Sequence, residues 1–324
     1  MKYFFSFIII LSLDILCVFS QNKLQNYIFS YDKITGIGHE KGITRRDPSD
    51  VIKVGDTYYV YYTKVKGRAD GYWGTIWYAT STDEGFSWKE QGEALGLGQK
   101  GTFDSQAVFT PNIIYAKGKY YLYYTGVKPT PGRTDGIFEN NSLTDYTAIG
   151  LAVSDSPDGP FVRISNEPVL RTSTDDNAFD SYRVDDASLL YKDKKYWLYY
   201  KGRSMKDGPK GPLYTKMGVA LADTPEGPFI KYDKPILSKS HEVMIWPDSN
   251  GIYALASFSS TIEFSKDGLD FESKPLNMKK DNRPNAPGAY RPDLTDHRDK
   301  SSLSWGISMV HNNDECFLIR YSFN

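Results

Sequence analysis

One hexapeptide decides the fold of this chain: Tyr58-Tyr59-Val60-Tyr61-Tyr62-Thr63, which recurs as Tyr120-Tyr121-Leu122-Tyr123-Tyr124-Thr125 and as Tyr196-Trp197-Leu198-Tyr199-Tyr200-Lys201. The side chains in each copy are bulky on both faces of a strand, as expected for a middle strand packed between two neighbouring sheets. A polar turn precedes each copy, and a third strand with a glycine-containing turn follows it. This repetition predicts an all-β fold assembled from similar sheets.

Five units of this kind can be counted, and they predict a five-bladed β-propeller with an active-site funnel on its central axis. The predicted blades cover Asp47–Leu95, Asp104–Leu170, Asp185–Leu237, Glu242–Leu276 and Tyr290–Phe323. Tyr27–Tyr31 is expected to add a strand to the last blade and so to join the chain ends. The insertions Gly126–Tyr146 and Lys201–Thr215 are expected to form surface loops around the funnel.

Composition limits the classes of partner. The 324 residues include 39 basic and 40 acidic side chains, and this balance gives no basic surface for nucleic acid or an anionic membrane. Residues 1–20 are mostly apolar after Lys2 and predict a signal peptide, hence a periplasmic or secreted protein. Residues 21–324 are predicted to form a single catalytic propeller domain. Cleavage would leave Cys316 as the sole cysteine, so no intrachain disulfide is expected.

The segments that open the predicted blades carry polar side chains that would meet at the axis. Asp47 and Asp185 precede the apolar strands of blades one and three, and His241 and Glu242 open blade four. Strand alternation sends Asp185 and Asp186 to opposite sides, so one of them faces the funnel. We choose Asp185, because its distance from the apolar strand matches that of Asp47.

This set of side chains fits the chemistry of glycosidic bond cleavage, which needs a proton donor and a group that activates water or attacks the sugar. Asp47, held by the following Pro48, would be the base, although an aspartate before Pro-Ser also caps turns. Asp185 would orient the acid or raise its pKa through proximity of like charges. Either His241 or Glu242 could donate the proton.

Five further residues are candidates for substrate binding: Asp104, Gln106, Arg183, Tyr290 and Arg291. Asp104 could equally be a fourth catalytic carboxylate, and Arg183 could instead neutralise the clustered acids. We expect no required cofactor. A Ca²⁺ or Mg²⁺ ion could sit near the funnel, but the sequence has no compact spacing of metal ligands.

Four segments together resemble glycoside hydrolase family 117: Thr44–Ile52, Thr102–Gln106, Arg183–Ser188 and Ser240–Val243. The resemblance implies a five-bladed enzyme that releases 3,6-anhydro-L-galactose from the non-reducing end of neoagaro-oligosaccharides by α-1,3 cleavage, with inversion. It also implies Asp47 as base, Asp185 as orienting carboxylate and His241 as acid, with Glu242 essential beside it.

More distantly, an Asp in blade one, an Asp in blade three and a Glu in blade four resemble the catalytic trio of family 43 arabinosidases and xylosidases. An enzyme of that type is therefore an alternative, and a non-catalytic sugar-binding propeller is a second one. In each case the partner is an oligosaccharide. Because the segment before the motif region is short, the chain is expected to be a monomer or a homodimer.

Overall fold

A computed structural model describes residues 29–66, 74–128, 146–207, 213–256, 261–275, 282–291, 303–312 and 315–323. The predicted signal peptide lies outside these residues, as do 129–145 and 208–212 of the two predicted insertions. The predicted surface loops begin too early in the chain, because strand pairing continues to Lys128 in one and to Arg203 in the other. The described residues form 21 strands in five separate sheets, and the predicted five-bladed β-propeller is confirmed. None of their helical segments has the length and apolar character needed to cross a membrane.

The strands follow one another in chain order: β1 (Phe29–Asp32), β2 (Ile43–Arg46), β3 (Ile52–Val54), β4 (Thr57–Lys66), β5 (Thr75–Ser81), β6 (Lys89–Leu95), β7 (Ala107–Ala116), β8 (Lys119–Lys128), β9 (Tyr146–Ser154), β10 (Val162–Arg163), β11 (Arg183–Lys192), β12 (Lys195–Arg203), β13 (Lys216–Ala222), β14 (Ile230–Lys231), β15 (Val243–Asp248), β16 (Gly251–Ala256), β17 (Thr261–Ser265), β18 (Glu272–Pro275), β19 (Asn285–Ala289), β20 (Trp305–Asn312) and β21 (Glu315–Phe323).

Each blade is an antiparallel sheet whose first strand lies innermost. Blade one contains β2 to β6, blade two β7 to β10, blade three β11 to β14 and blade four β15 to β18. Blade five is completed by the N-terminal strand, in the order β1-β21-β20-β19. Phe29 pairs with Phe323, so the prediction that the two chain ends share a blade is confirmed within the described residues.

The tyrosine-rich repeats are the second strands β4, β8 and β12, and their hydroxyl groups connect neighbouring blades. The fourth residue of each copy is fully buried and donates to a carbonyl in a turn of the next blade: Tyr61 to Pro157, Tyr123 to Pro225 and Tyr199 to Gly268. A buried hydroxyl needs such a partner. The hexapeptide therefore recurs along the chain because each copy packs its blade against the next one.

Contacts between blades one and five close the ring at its centre. Val51 and Tyr290 form a parallel bridge, and the amide of Val51 donates to the carbonyl of Ala289 at 2.8 Å. Gly288 makes this approach possible, since a Cβ there would lie 1.8 Å from the carbonyl oxygen of Ser49. The ring therefore brings the innermost strands of all five blades around one axis.

Candidate active site

A bulge at the same point of four inner segments builds the site. The four residues at this point have positive φ angles, 49°, 45°, 53° and 40°, at Asp47, Thr110, Asp186 and Ala286. In blades two, three and five the pairing with the second strand shifts here, which is the mark of a β-bulge. A bulge interrupts alternation and can turn a side chain towards a new direction. Here it exposes residues from four blades to the axis.

Asp47, Thr110, Asp186 and Glu242 line two cavities that share these residues. One cavity has a volume of about 140 Å³ and is completed by Arg46, Phe109, Lys201, His241, Met309 and His311. The other, of about 40 Å³, reaches Asp50. The three acidic residues, which come from blades one, three and four, are thus gathered at one place.

Of Asp185 and Asp186, the structure places Asp186 and not the predicted Asp185 at the cavities, while the catalytic role of either stays a prediction. Asp186 occupies the bulge position of Asp47 and lines both cavities, whereas Asp185 lines neither. Asp185 pairs with Lys201 in the regular register, one residue before the bulge. Strand alternation does not apply across a bulge, and for this reason distance from the apolar strand misled the prediction.

A chain of ion pairs holds these two aspartates. Lys201 Nζ lies 2.6 Å from Asp186 Oδ2 and 3.3 Å from Asp185 Oδ1. Arg183 Nη2 donates to Asp185 Oδ2 at 3.2 Å. All four side chains are buried. Burial raises the pKa of Asp186, Lys201 opposes this shift, and the nearby Asp185 and Asp47 add to it.

The two candidate proton donors have opposite electrostatics. Burial raises the pKa of Glu242, against a hydrogen bond of 2.9 Å from the backbone amide of Ala286. Burial, together with Lys201 and two arginines, lowers the pKa of His241 to about 2. The His241 ring is therefore neutral near pH 7, contrary to the expectation that it titrates there unaided. Of the two groups, only Glu242 has its pKa shifted in the direction that favours the protonated form.

Asp47 is fixed from one side by its neighbour in sequence. Arg46 Nε donates to Asp47 Oδ2 at 2.8 Å, and both side chains are largely buried. A carboxylate held in this way at the cavity wall is a candidate general base.

Asp104 and Gln106, predicted to bind substrate, do not line either cavity. Asp104 is buried and accepts hydrogen bonds from Thr102 at 2.6 Å, Tyr124 at 2.8 Å and Arg163 at 2.6 Å. Gln106 lies just before β7 and pairs with β8 through its backbone amide.

The same arrangement occurs in blade three, where Asp180 accepts from Tyr200 at 2.8 Å and from Lys231 at 2.6 Å. Asp104 thus corresponds to Asp180, and its role in the fold is to tie a loop to the blade.

Tyr290, Arg291 and Arg183 are also absent from the walls of the two cavities. Tyr290 follows the inner strand β19 and stacks on Trp305 with ring centroids 5.0 Å apart. Arg291 is buried and pairs with Asp50 at 3.2 Å. Blade five begins at Asn285 and not at Tyr290, so both residues follow its inner strand, and their substrate-binding roles stay predictions. Arg183 instead supports Asp185, as the neutralising alternative predicted.

Sequence reasoning missed Thr110, Asp186, Lys201, Met309 and His311 as lining residues. One signal was available: a proline follows the bulge residue in blades one, two and five, at Pro48, Pro111 and Pro287. His311 had no comparable signal, since it lies at the end of the second strand of its blade.

The option of a Ca²⁺ or Mg²⁺ ion near the funnel stays a prediction. Within the described ranges, no group of three or more His, Cys, Asp or Glu side chains could hold a metal ion.

Comparison with known proteins gives the class. The family model for glycosyl hydrolases family 43 matches residues 43–189. A xylosidase/arabinosidase from Bacteroides ovatus is 28% identical over 144 residues, and xylosidase/arabinosidase 43A from Humicola insolens is 29% identical over 142 residues. Each match covers 44% of this chain but only 41% and 40% of the two relatives. These similarities support the predicted class, a glycoside hydrolase.

The likeness to a solved structure extends over nearly the whole chain. A family 117 glycoside hydrolase produced by the marine bacterium Zobellia galactanivorans is 28% identical, with a TM-score of 0.76 and coverage of 92% of this chain and 90% of that one. The predicted resemblance to family 117, with a more distant relation to family 43, is confirmed.

Proposed function

We propose that the protein is an exo-acting glycoside hydrolase that cleaves with inversion and releases 3,6-anhydro-L-galactose from α-1,3-linked neoagaro-oligosaccharides. The observation that carries the proposal is the meeting of Asp47, Asp186 and Glu242 at one small cavity on the propeller axis. The proposal includes a periplasmic or secreted location and an oligosaccharide as the partner, with the chain acting as a monomer or homodimer and without a required cofactor.

Glu242 is the proton donor in this proposal. Burial raises its pKa, which favours the protonated form that a leaving oxygen needs. Asp47 is the base that activates a water molecule for attack from the opposite face of the sugar. Asp186 takes the orienting role first given to Asp185, because it occupies the matching bulge. His241, as a neutral ring in the cavity wall, would bind a sugar hydroxyl.

The closed floor of the cavity supports exo action. Asp50 lines the inner cavity and, together with Arg291, also lines a separate cavity of about 560 Å³, so their buried ion pair lies between the two cavities. Arg291 Nη1 also donates to the carbonyls of Leu189 at 2.6 Å and Ile245 at 3.2 Å, so three blades hold it. A sugar chain cannot pass through this floor, and a terminal unit is what a blind cavity accepts.

Two observations support an anhydro sugar as that terminal unit. Phe109 and Met309 add two apolar side chains to the otherwise polar wall of the 140 Å³ cavity, where they could contact the ether bridge of a sugar that has lost two hydroxyl groups. The chain is also similar to a family 117 enzyme over 92% of its length.

A second candidate is an arabinosidase or xylosidase. It is favoured by the family 43 match over residues 43–189, which spans the base-bearing blade and Asp186. The acid and base would be the same, and the difference would lie in the sugar that the cavity accepts.

Hydrolysis of neoagarobiose, compared with aryl arabinosides and aryl xylosides, separates the two candidates. We expect release of the anhydro sugar, with the inverted anomer seen first by proton NMR. Glu242→Gln should lower turnover of neoagarobiose by about 10²–10⁴-fold and be partly tolerated on an aryl glycoside of the same anhydro sugar, whose leaving group needs little protonation. His241→Ala should raise KM alike on both. Turnover of the pentosides alone would favour the second candidate, and no hydrolysis of any glycoside would refute both.

A further inference from the structure

The mechanism above uses every acidic residue of the cavity but leaves one buried cation without a role. Lys201 lies on the second strand of blade three, directly opposite Asp185. At the equivalent position the other bulged blades carry Thr63, Thr125 and Met309, as the strand registers show. Blade three alone among these four places a charge there. A lysine is costly to bury, so its position calls for a reason.

We propose that Lys201 is a positioning residue that keeps Asp186 ionised and in place for catalysis, and that Asp185 and Arg183 serve to hold Lys201. The inference rests on the proposed function and concerns how that same site is regulated by pH. Its basis is the continuous chain of contacts from Arg183 to Asp185, Lys201 and Asp186, at 3.2 Å, 3.3 Å and 2.6 Å.

Two geometric observations identify Asp186, rather than Asp185, as the partner through which Lys201 affects the cavity. Of the two aspartates that Lys201 touches, only Asp186 lines the cavities, and its contact with Lys201 is the shorter one. Asp185 is 1% exposed and has a second cation in Arg183, so it acts as an anchor behind the site.

The charged and titratable groups around this pair come from four blades. Asp186 feels Lys201, Asp185 and Asp47. The charges of Lys201 and Arg46 lower the pKa of both His241 and Glu242, and the charge of Arg183 also lowers that of His241. His311 lines the same cavity. The positive charge of Lys201 favours the ionised form of both Asp186 and Glu242, and so lowers the pKa of each.

This gives a prediction with a defined direction. Catalysis needs Asp186 ionised, which sets the acidic limb of the pH profile of kcat/KM, and Glu242 protonated, which sets the alkaline limb. Removing the charge in Lys201→Met should therefore move the acidic limb to higher pH by about 1–3 pH units, as for a contact of this length with Asp186, and should move the alkaline limb in the same direction. Lys201→Arg keeps the charge and should leave both limbs where the wild type has them, whatever its turnover.

A matched control is available in the same blade. Lys231 pairs with Asp180 at 2.6 Å but lies outside both cavities. Lys231→Met should lower the melting temperature without moving either limb. If Lys201→Met does not fold, Lys201→Gln tests the same loss of charge with a side chain that can still form hydrogen bonds. If the Met or Gln variant has a lower kcat but the same acidic and alkaline limbs of the kcat/KM profile as the wild type, Lys201 contributes only to packing and the inference is overturned.

A second readout does not depend on hydrolysis. The pKa of Asp186 is raised in the folded state, so ionisation of this carboxyl destabilises the fold as the pH rises from its unfolded pKa to its folded pKa. The positive charge of Lys201 limits this destabilisation. The loss of melting temperature in Lys201→Met should accordingly be larger at about pH 8 than at about pH 5. An equal loss at both would overturn the inference. If the wild type hydrolyses no glycoside, the proposed function fails, and this melting series alone still decides the role of Lys201.

Discussion

Replacing Arg291 with methionine tests whether this residue seals the propeller axis or binds substrate. Its guanidinium is buried and pairs with Asp50 at 3.2 Å. The same nitrogen donates to the carbonyl oxygens of Leu189 and Ile245, on the inner strands of blades three and four. The substitution keeps most of the apolar stem and removes the charge.

The expected loss of stability follows from the buried Asp50 carboxylate, which loses its cation in this variant. The Asp50 carboxylate keeps hydrogen bonds from Asn112 at 3.2 Å and from the amide of Ala289 at 2.8 Å, but it loses its cation. Removing one partner of a buried ion pair typically costs about 3–5 kcal/mol. We expect Arg291→Met to lower the free energy of unfolding by about that amount. The double variant with Asp50→Asn should lose less than the sum of the two single losses, because neither charge is then left alone.

Urea unfolding followed by tryptophan fluorescence measures this loss, and steady-state kinetics on the folded protein measure KM. The control is Arg171→Met, which removes an exposed i,i+4 pair with Glu167 and should cost no more than about 1 kcal/mol. An Arg291→Met protein with wild-type stability and a raised KM would refute the assignment to the floor of the cavity and support the substrate-binding role.

Three further outcomes are expected. Asp186→Asn should lower kcat more than Asp185→Asn does, since only Asp186 lines the cavity; the reverse order in single-turnover assays would contradict the bulge argument. Asp104→Asn should cost about 1–3 kcal/mol with an unchanged KM. Burial alone would raise the pKa of Asp104, but hydrogen bonds from Thr102, Arg163 and Tyr124 outweigh burial and lower the pKa. The stabilisation by the Asp104 carboxylate is therefore present above its unfolded pKa of about 3.9 and is lost as the pH falls further. Urea titrations in which Asp104→Asn costs the same free energy of unfolding at every pH would contradict this. Because the raised pKa of Glu242 sets the alkaline limb, kcat/KM should fall as the pH rises through that pKa, and a profile without an alkaline limb would exclude Glu242 as the acid.

The tyrosine repeats and the glycine turns were sufficient to predict blades, their number and the strand that joins the chain ends. These features are local: a bulky alternating hexapeptide can be buried on both faces only between sheets, and repetition of the unit gives the ring. The first residues of blades two and five could not be placed in this way. Phe103-Asp104 and Tyr290-Arg291 look like polar residues beside an apolar strand, but one pair precedes the true inner strand and the other follows it.

The catalytic candidates divide in the same manner. Asp47 and Glu242 were found because each lies beside an apolar strand and also faces the axis. Asp186 was rejected in favour of its neighbour on the assumption of regular strand alternation. A bulge interrupts that alternation after Asp185, so the assumption does not hold there. The protonation of His241 was also predicted incorrectly, since its pKa depends on burial and on Lys201, Arg183 and Arg46, none of which is adjacent to it in sequence.

The architecture and the chemical type of the side chains at the axis could be inferred from short segments, because strand period, turn residues and residue identity are local properties. The folded arrangement was needed to show which carboxylate faces the cavity, which group has a raised pKa and which arginine lies beneath the cavity. Each of these depends on a distance between residues from different blades, and on the burial that those blades create together.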